Sequence, residues 1–263
     1  VSRDVTRLTT REVGGMDDVR SFFDGLASHY TESHGVAGRL LRYRLHVIRR
    51  LLDGARRSCL VEIGCGNGLH LFPLASEFET VIGTDLSPRM IAAAEAIRTG
   101  HAFGRRIRLS AEPAETLRSV EDDVADAVLC VGAFEHMLDQ RAVLKQVARV
   151  LKPSGVFVCL TANGSYLWYT QLAPRLGVAT RHLSTDRFVS FAGWRELLGE
   201  ASLTPVKIGS WRFVPAGDMP GWASLTMEML DRVGAALCVS GLRGGCYVRA
   251  LKPLRSMVAS RSS

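Results

Sequence analysis

Apolar and polar positions along this chain follow two rhythms. Short strand-like runs fall at 59–64, 80–84, 106–110, 125–131 and 155–161. Their length and bounding turn residues suit buried strands. Between them, segments at 69–77, 87–98 and 139–151 place apolar residues at helical spacing. Strands alternating with helices predict a parallel sheet covered on both faces. Upstream, Phe22, Phe23, Leu26 and Tyr30 recur at helical spacing, and a second amphipathic helix is expected over about 37–52. The beat stops after Thr161. Residues 162–190 hold Tyr166, Trp168, Tyr169 and Pro174, and a helix is expected near 193–201. Two last strands are expected at 204–213 and 244–251, flanking an insertion at 214–243 that carries Trp222 and a Met-rich stretch. Long connections in a compact domain usually serve as lids or binding elements. The expected organisation is a flexible arm (1–17), one domain (18–251) with cap insertions at about 162–190 and 214–243, and a basic tail (252–263).

Chemistry concentrates where the first strand ends. Leu60-Val61-Glu62-Ile63 runs straight into Gly64-Cys65-Gly66-Asn67-Gly68. Glycines at alternate positions allow a sharp turn and a close backbone approach to a ligand. The following helix aims its free N–H groups back at that ligand. The spacing is G-x-G-x-G, because Leu69 stands where a dinucleotide turn would have its third glycine. About 20 residues on, Val81-Ile82-Gly83-Thr84-Asp85 closes a second strand on an acid, which suits ribose hydroxyls. The two motifs together, VEIGCGNG and VIGTD, resemble the class I S-adenosylmethionine-dependent methyltransferases.

That resemblance implies a Rossmann-like α/β fold with a seven-stranded, mostly parallel sheet, helices on both faces and a helical cap. It implies S-adenosyl-L-methionine as cofactor. Gly64, Cys65, Gly66 and Gly68 would hold its methionyl end, with Glu62 orienting the turn or the ammonium group. Asp85 would take the ribose hydroxyls and Leu86 would pack on adenine. Around Arg108-Leu109-Ser110-Ala111-Glu112-Pro113-Ala114-Glu115, relatives often carry an aspartate where this chain has Pro113. The adenine contact therefore falls to the Ala114 N–H and to Glu115 or Glu112. Val131 ends the fourth strand beside the cofactor. Relatives in quinone biosynthesis carry an N-terminal helix like 19–30, whose tyrosine, Tyr30 here, closes over the cofactor. The strand-end motif Gly132-Ala133-Phe134-Glu135-His136 resembles the segment that faces the transferred methyl. His136 is the candidate general base, since an imidazole titrates near neutral pH; His29, His34 and His182 are rivals. Some relatives bind metal through an acid at the position of Gly132, so no metal is expected.

Composition sets the remaining bounds. The chain has 263 residues, 33 Lys and Arg against 26 Asp and Glu, and a net charge of +7. A basic surface admits nucleic acid as a partner, but no RNA-binding module is recognisable, so a solvated basic face is the expectation. No apolar run of about 18 residues predicts a membrane span, and no secretory leader is evident. The six cysteines form no C-x-x-C pair, which argues against zinc and fits a reducing cytoplasm. The aromatic cap residues, with Trp211, suit a small or lipid-like hydrophobic acceptor; the resemblance implies methylation at oxygen, in secondary-metabolite, quinone or lipid biosynthesis, with carbon and nitrogen left open. Two other classes stay open: an RNA methyltransferase, and a cofactor-binding protein that transfers no methyl group.

Overall fold

Residues of the first strand are buried without exception, and their side chains serve two cores. The computed structural model describes residues 10–30, 38–211 and 240–254, with single positions between 226 and 234. Two helices open it, α1 (Met16–Leu26) and α2 (Gly38–Leu51). Strand β1 (Cys59–Ile63) then sends Val61 and Ile63 to one face and Leu60 to the other. A strand covered on both faces has no polar side to show, which is why its apolar run is continuous. Helix α3 (Leu71–Leu74) and β2 (Thr80–Asp85) follow, then α4 (Pro88–Gly100), β3 (Ile107–Ala111) and β4 (Ala125–Val131). The chain continues through α5 (Gln140–Val150), β5 (Leu151–Ala162), α6 (Phe191–Glu200), β6 (Thr204–Trp211) and β7 (Gly245–Leu251).

The seven strands form one sheet in the order β3-β2-β1-β4-β5-β7-β6. The first five strands are parallel, and β7 inserts antiparallel between β5 and β6. The order reverses between β1 and β4, and an open α/β sheet places ligands at the carboxyl ends of the strands there. The expected seven-stranded, mostly parallel sheet with its helices is present. Helix starts carry their own caps: the hydroxyl of Ser87 accepts from Met90 N, the carboxylate of Asp139 from Ala142 N, and the hydroxyl of Ser190 from Gly193 N. Pro88 fits the first turn of α4, where its missing N–H costs nothing.

Four sequence expectations change. The turn expected at 152–155 is drawn into β5: Ala125 pairs with Leu151, and a register shift resumes the ladder at Ala127 and Val156. Ser154 absorbs the irregularity with a φ of 66°. The arm expected at 1–17 ends earlier, because α1 begins at Met16, and Arg11 N–H donates to His182 O while Ser184 N–H donates to Arg11 O. Residues 1–9 lie outside the described part. The basic tail is tied down at its start, where Lys252 Nζ donates to Asp123 Oδ1 at 2.7 Å and to Leu151 O at 2.7 Å. Trp211 was expected in an aromatic cap, yet it is buried in the sheet's core beside Tyr43, with ring centroids 5.8 Å apart. Its place at the end of β6 decides this, since the strand's alternation turns it inward. Most of the 214–243 insertion and residues 255–263 lie outside the described part. Among the described residues no helix is long and apolar enough to cross a membrane.

Candidate active site

The turn after β1 needs the left-handed region three times: φ is 65° at Gly64, 54° at Gly66 and 85° at Gly68. Gly64 is also a contact point, because a Cβ there would lie 2.4 Å from the Cβ of Ala133, on the turn that follows β4. Two turns from neighbouring strands thus meet at the switch point with no room for a side chain. Gly64→Ala is expected to lose about 3 kcal/mol of stability, about 1–2 from the left-handed backbone and the rest from overpacking. Urea unfolding at fixed slope measures it.

A cleft with about 670 Å³ of empty space, partly open to solvent, lies over these turns. Eight of the twelve sequence candidates line it: Tyr30, Gly64, Gly66, Asp85, Leu86, Ala114, Glu115 and His136. The Asp85 carboxylate, at the end of β2, accepts from Gly66 N at 2.8 Å and from Ser87 N at 2.9 Å. Burial pushes its carboxyl above the usual carboxylate range; the Ser87 and Gly66 N–H groups pull it down, and the Asp24 charge pushes it up. The Tyr30 ring covers the turn, 3.4 Å from where a Gly66 Cβ would be. Burial, then the charge of Asp85, pushes its phenol pKa up, so it stays neutral. Ala114 is buried in the wall, while the Glu112 carboxylate is taken by the N–H and hydroxyl of Ser119. Of the two candidate acids, Glu115 is therefore the one without a hydrogen bond among the described residues.

The other four candidates sit behind the wall. Glu62 is fully buried and is not part of the cleft lining, and among the described residues neither of its carboxylate oxygens has a hydrogen-bond donor. His70 Nδ1 lies 3.7 Å from Glu62 Oε1. Burial first, and the charge of Asp85 second, push the Glu62 carboxyl well above its normal range. Cys65 and Val131 pack into the core. Gly68 meets the Phe72 ring, which would touch a Cβ at 2.3 Å. None of these three is among the residues that line the cleft.

Sequence reasoning missed much of the opposite wall. Met16, Val19 and Phe23 of α1 line the cleft, and α1 is held there through Asp24. The Asp24 carboxylate accepts from Ser87 Oγ at 2.5 Å and from Arg89 N at 3.2 Å, at the start of α4. The helical spacing of α1 was visible in the sequence, but not the surface it covers. The cap aromatics expected to face the acceptor do not line the cleft: Tyr166 and Tyr169 pack edge to face at 4.9 Å, and Tyr169 lies 5.0 Å from Phe188. Trp222 lies outside the described residues.

His136 stands on a single helical turn, Phe134–His136, anchored by Phe134, which packs on the buried Trp194 of α6 at 4.6 Å. The imidazole is 11% exposed, and its Nδ1 lies 2.7 Å from the buried Asp186 Oδ1. Phe23 packs 5.2 Å away and His182 6.0 Å away, centroid to centroid. Burial alone would lower the pKa of His136, but the Asp186 hydrogen bond and the charges of Glu135 and Asp186 outweigh it and hold the pKa above 6.5. Burial, and then the charge of His136, hold His182 below that value. The side chain of His29 and all of His34 lie outside the described part. Glu135 accepts from Thr161 Oγ1 at 2.6 Å. Among the described residues no group of three His, Cys, Asp or Glu side chains could hold a metal ion.

A glycine turn and a strand-ending acid at the switch point of this strand order form the arrangement in which open α/β sheets take nucleoside-containing ligands. Residues 61–159 match the family model described as a methyltransferase domain. The ubiquinone biosynthesis O-methyltransferase of Idiomarina loihiensis is 31% identical over 146 residues, 54% of this chain and 58% of that protein. The protein of the same description from Vibrio parahaemolyticus is 25% identical over 182 residues, 66% of this chain and 76% of the relative. The chain thus spans a little over half the length of the first of these relatives. Among solved structures, the cyclase SpnF superposes with a TM-score of 0.67 at 17% identity, covering 94% of this chain and 100% of its own. Geranyl diphosphate C-methyltransferase from Streptomyces coelicolor A3(2) superposes with a TM-score of 0.59 at 17% identity, covering 81% and 80%. These two likenesses show the fold alone. Residues 61–159 thus carry a methyltransferase domain, and the chain is similar to the ubiquinone biosynthesis O-methyltransferases.

One observation fits the S-adenosylmethionine cofactor to these residues. Gly66 and Gly132 leave the cleft floor free of side chains, with positive φ values of 54° and 63°.

Proposed function

We propose that this chain transfers a methyl group from S-adenosylmethionine to a hydroxyl oxygen of a small, largely apolar acceptor. The observation that carries the proposal is the continuity of one cleft from Asp85 and the glycine turn to the His136 imidazole. Gly64, Gly66 and Asp85 would hold the methionyl and ribose parts, with Leu86, Ala114 and Glu115 at the adenine. The bound cofactor supplies a methyl group already activated on a sulfonium, which the oxygen's electron pair takes as the carbon–sulfur bond breaks. What remains for the protein is to align the acceptor, exclude water and remove one proton. Phe23, Val19 and Met137 line the cleft with apolar surface, and such walls suit an apolar acceptor. His136 would take the hydroxyl proton on Nε2. The relatives' description as O-methyltransferases of ubiquinone biosynthesis supports oxygen as the acceptor atom and quinone-like or lipid-like molecules as the substrate class.

The test has two stages. Calorimetry with S-adenosylmethionine and S-adenosylhomocysteine should show one saturable site. Release of S-adenosylhomocysteine is then followed with phenols and catechols bearing alkyl chains of increasing length. Turnover that improves with chain length is the expected result. Binding with no turnover on any hydroxyl acceptor, but turnover on amines or RNA, would overturn the choice of oxygen.

A further inference from the structure

His136 is reached by a carboxylate that lies 50 positions away in the chain and belongs to the cap segment. We propose that Asp186 is a positioning residue for His136: its Oδ1 accepts the Nδ1 hydrogen, so the lone pair of the neutral imidazole is on Nε2, the nitrogen left for the acceptor. This rests on the reading of His136 as the proton-accepting group.

The geometry of Asp186 is fixed on all sides. Its side chain is fully buried, and Oδ2 accepts from His182 N at 2.9 Å and from Leu183 N at 3.0 Å, which leaves Oδ1 for the imidazole. Two ties staple its segment to the turn that carries His136. Arg187 N–H donates to Glu135 O at 2.8 Å. Gln140 Nε2 donates to Phe134 O at 3.0 Å and to Arg187 O at 3.0 Å, bridging both sides. On the outer side, Arg11 pairs with the backbone of His182 and Ser184. A carboxylate so immobilised can hold one tautomer and one ring orientation, which a base needs in order to meet a hydroxyl. It also balances the imidazolium charge once the hydroxyl proton has moved to Nε2; that proton leaves to water when product departs. The titratable groups facing the ring are Glu135 on its own turn and Asp186 and His182 on the cap segment, while α1 contributes the Phe23 ring.

Asp186→Asn separates positioning from scaffolding. The amide oxygen can still accept from His182 N and Leu183 N, but the charge is gone and the amide presents N–H groups to Nδ1. Nitrogen-15 NMR of the wild-type protein, with His136 assigned against a His136→Gln sample, should show the Nδ1–H tautomer in the neutral form. In Asp186→Asn the His136 titration should move to lower pH, since burial then acts with only Glu135 opposing it. On a hydroxyl acceptor kcat should fall about 10²-fold, within the range general-base catalysis supplies, with the affinity for S-adenosylmethionine within about threefold of wild type by calorimetry. An Nε2–H tautomer in the wild-type protein overturns the proposal, and this needs no variant to fold. So does a His136 titration that Asp186→Asn leaves in place. Both readouts are taken without an acceptor, so they stand apart from any failure of the methyl-transfer reading, which the calorimetry and turnover assays register.

Discussion

Asp85→Ala is expected to abolish measurable binding of S-adenosylmethionine. The carboxylate ends β2 beside the glycine turn and holds Gly66 N at 2.8 Å and Ser87 N at 2.9 Å. Its removal therefore acts twice: the group suited to ribose hydroxyls is lost, and the turn loses the acceptor that fixes Gly66. Hydrogen bonds to a charged group are worth about 1.5–3 kcal/mol each, so losing two should weaken binding by at least about 3 kcal/mol, over 10²-fold. Calorimetry measures the affinity, and thermal melting checks that the fold survives. Because burial holds the Asp85 carboxyl above its ordinary range, the ionised form is lost at a higher pH than for a free aspartate. Affinity should accordingly decline as the pH drops toward that raised value. An affinity within threefold of wild type in Asp85→Ala would place the ribose elsewhere.

His136→Ala should leave cofactor binding nearly intact and remove most turnover. The imidazole lines the same cleft as Asp85 but stands on the turn after β4, away from the β2 end. General-base catalysis contributes about 10²–10⁴-fold, and kcat should fall by an amount in that range. The pH profile adds a signed test. A base works in its deprotonated form, and the pKa of His136 is held above 6.5 by Asp186 and Glu135 against the effect of burial. In the wild type, kcat/KM should therefore rise with pH through that raised value, and the limb should vanish in His136→Ala. Full turnover in the variant would take the residue out of the reaction.

Comparison of the elements shows why the sheet was readable in advance. Strands β1, β2 and β4 lie within one residue of the runs expected at 59–64, 80–84 and 125–131, because a strand buried on both faces cannot hide its apolar character. The β5 start was misplaced because Lys152-Pro153-Ser154-Gly155 is composed like a turn, while Leu151 and Val156 on either side of it pair with β4 and Ser154 and Gly155 exchange hydrogen bonds with Lys252. Glu62 was visible as an acid before the turn, but its side of the strand was set by the β alternation and by what packs there. It lies behind the cleft wall beside His70.

The sequence by itself determined the strand–helix order, the glycine turn after β1, the acid closing β2 and the histidine after β4. Each is a local matter of side-chain periodicity, of a backbone conformation that glycine adopts most easily, or of one residue's chemistry. Only the tertiary structure decided which surfaces meet. It brought Asp186 to His136, turned Trp211 into the core, and laid α1 over the cleft through Asp24. Those contacts join residues 50 or more positions apart, and no spacing rule along a chain encodes such a distance. Chain reversals and packed layers set it, after the local patterns have folded.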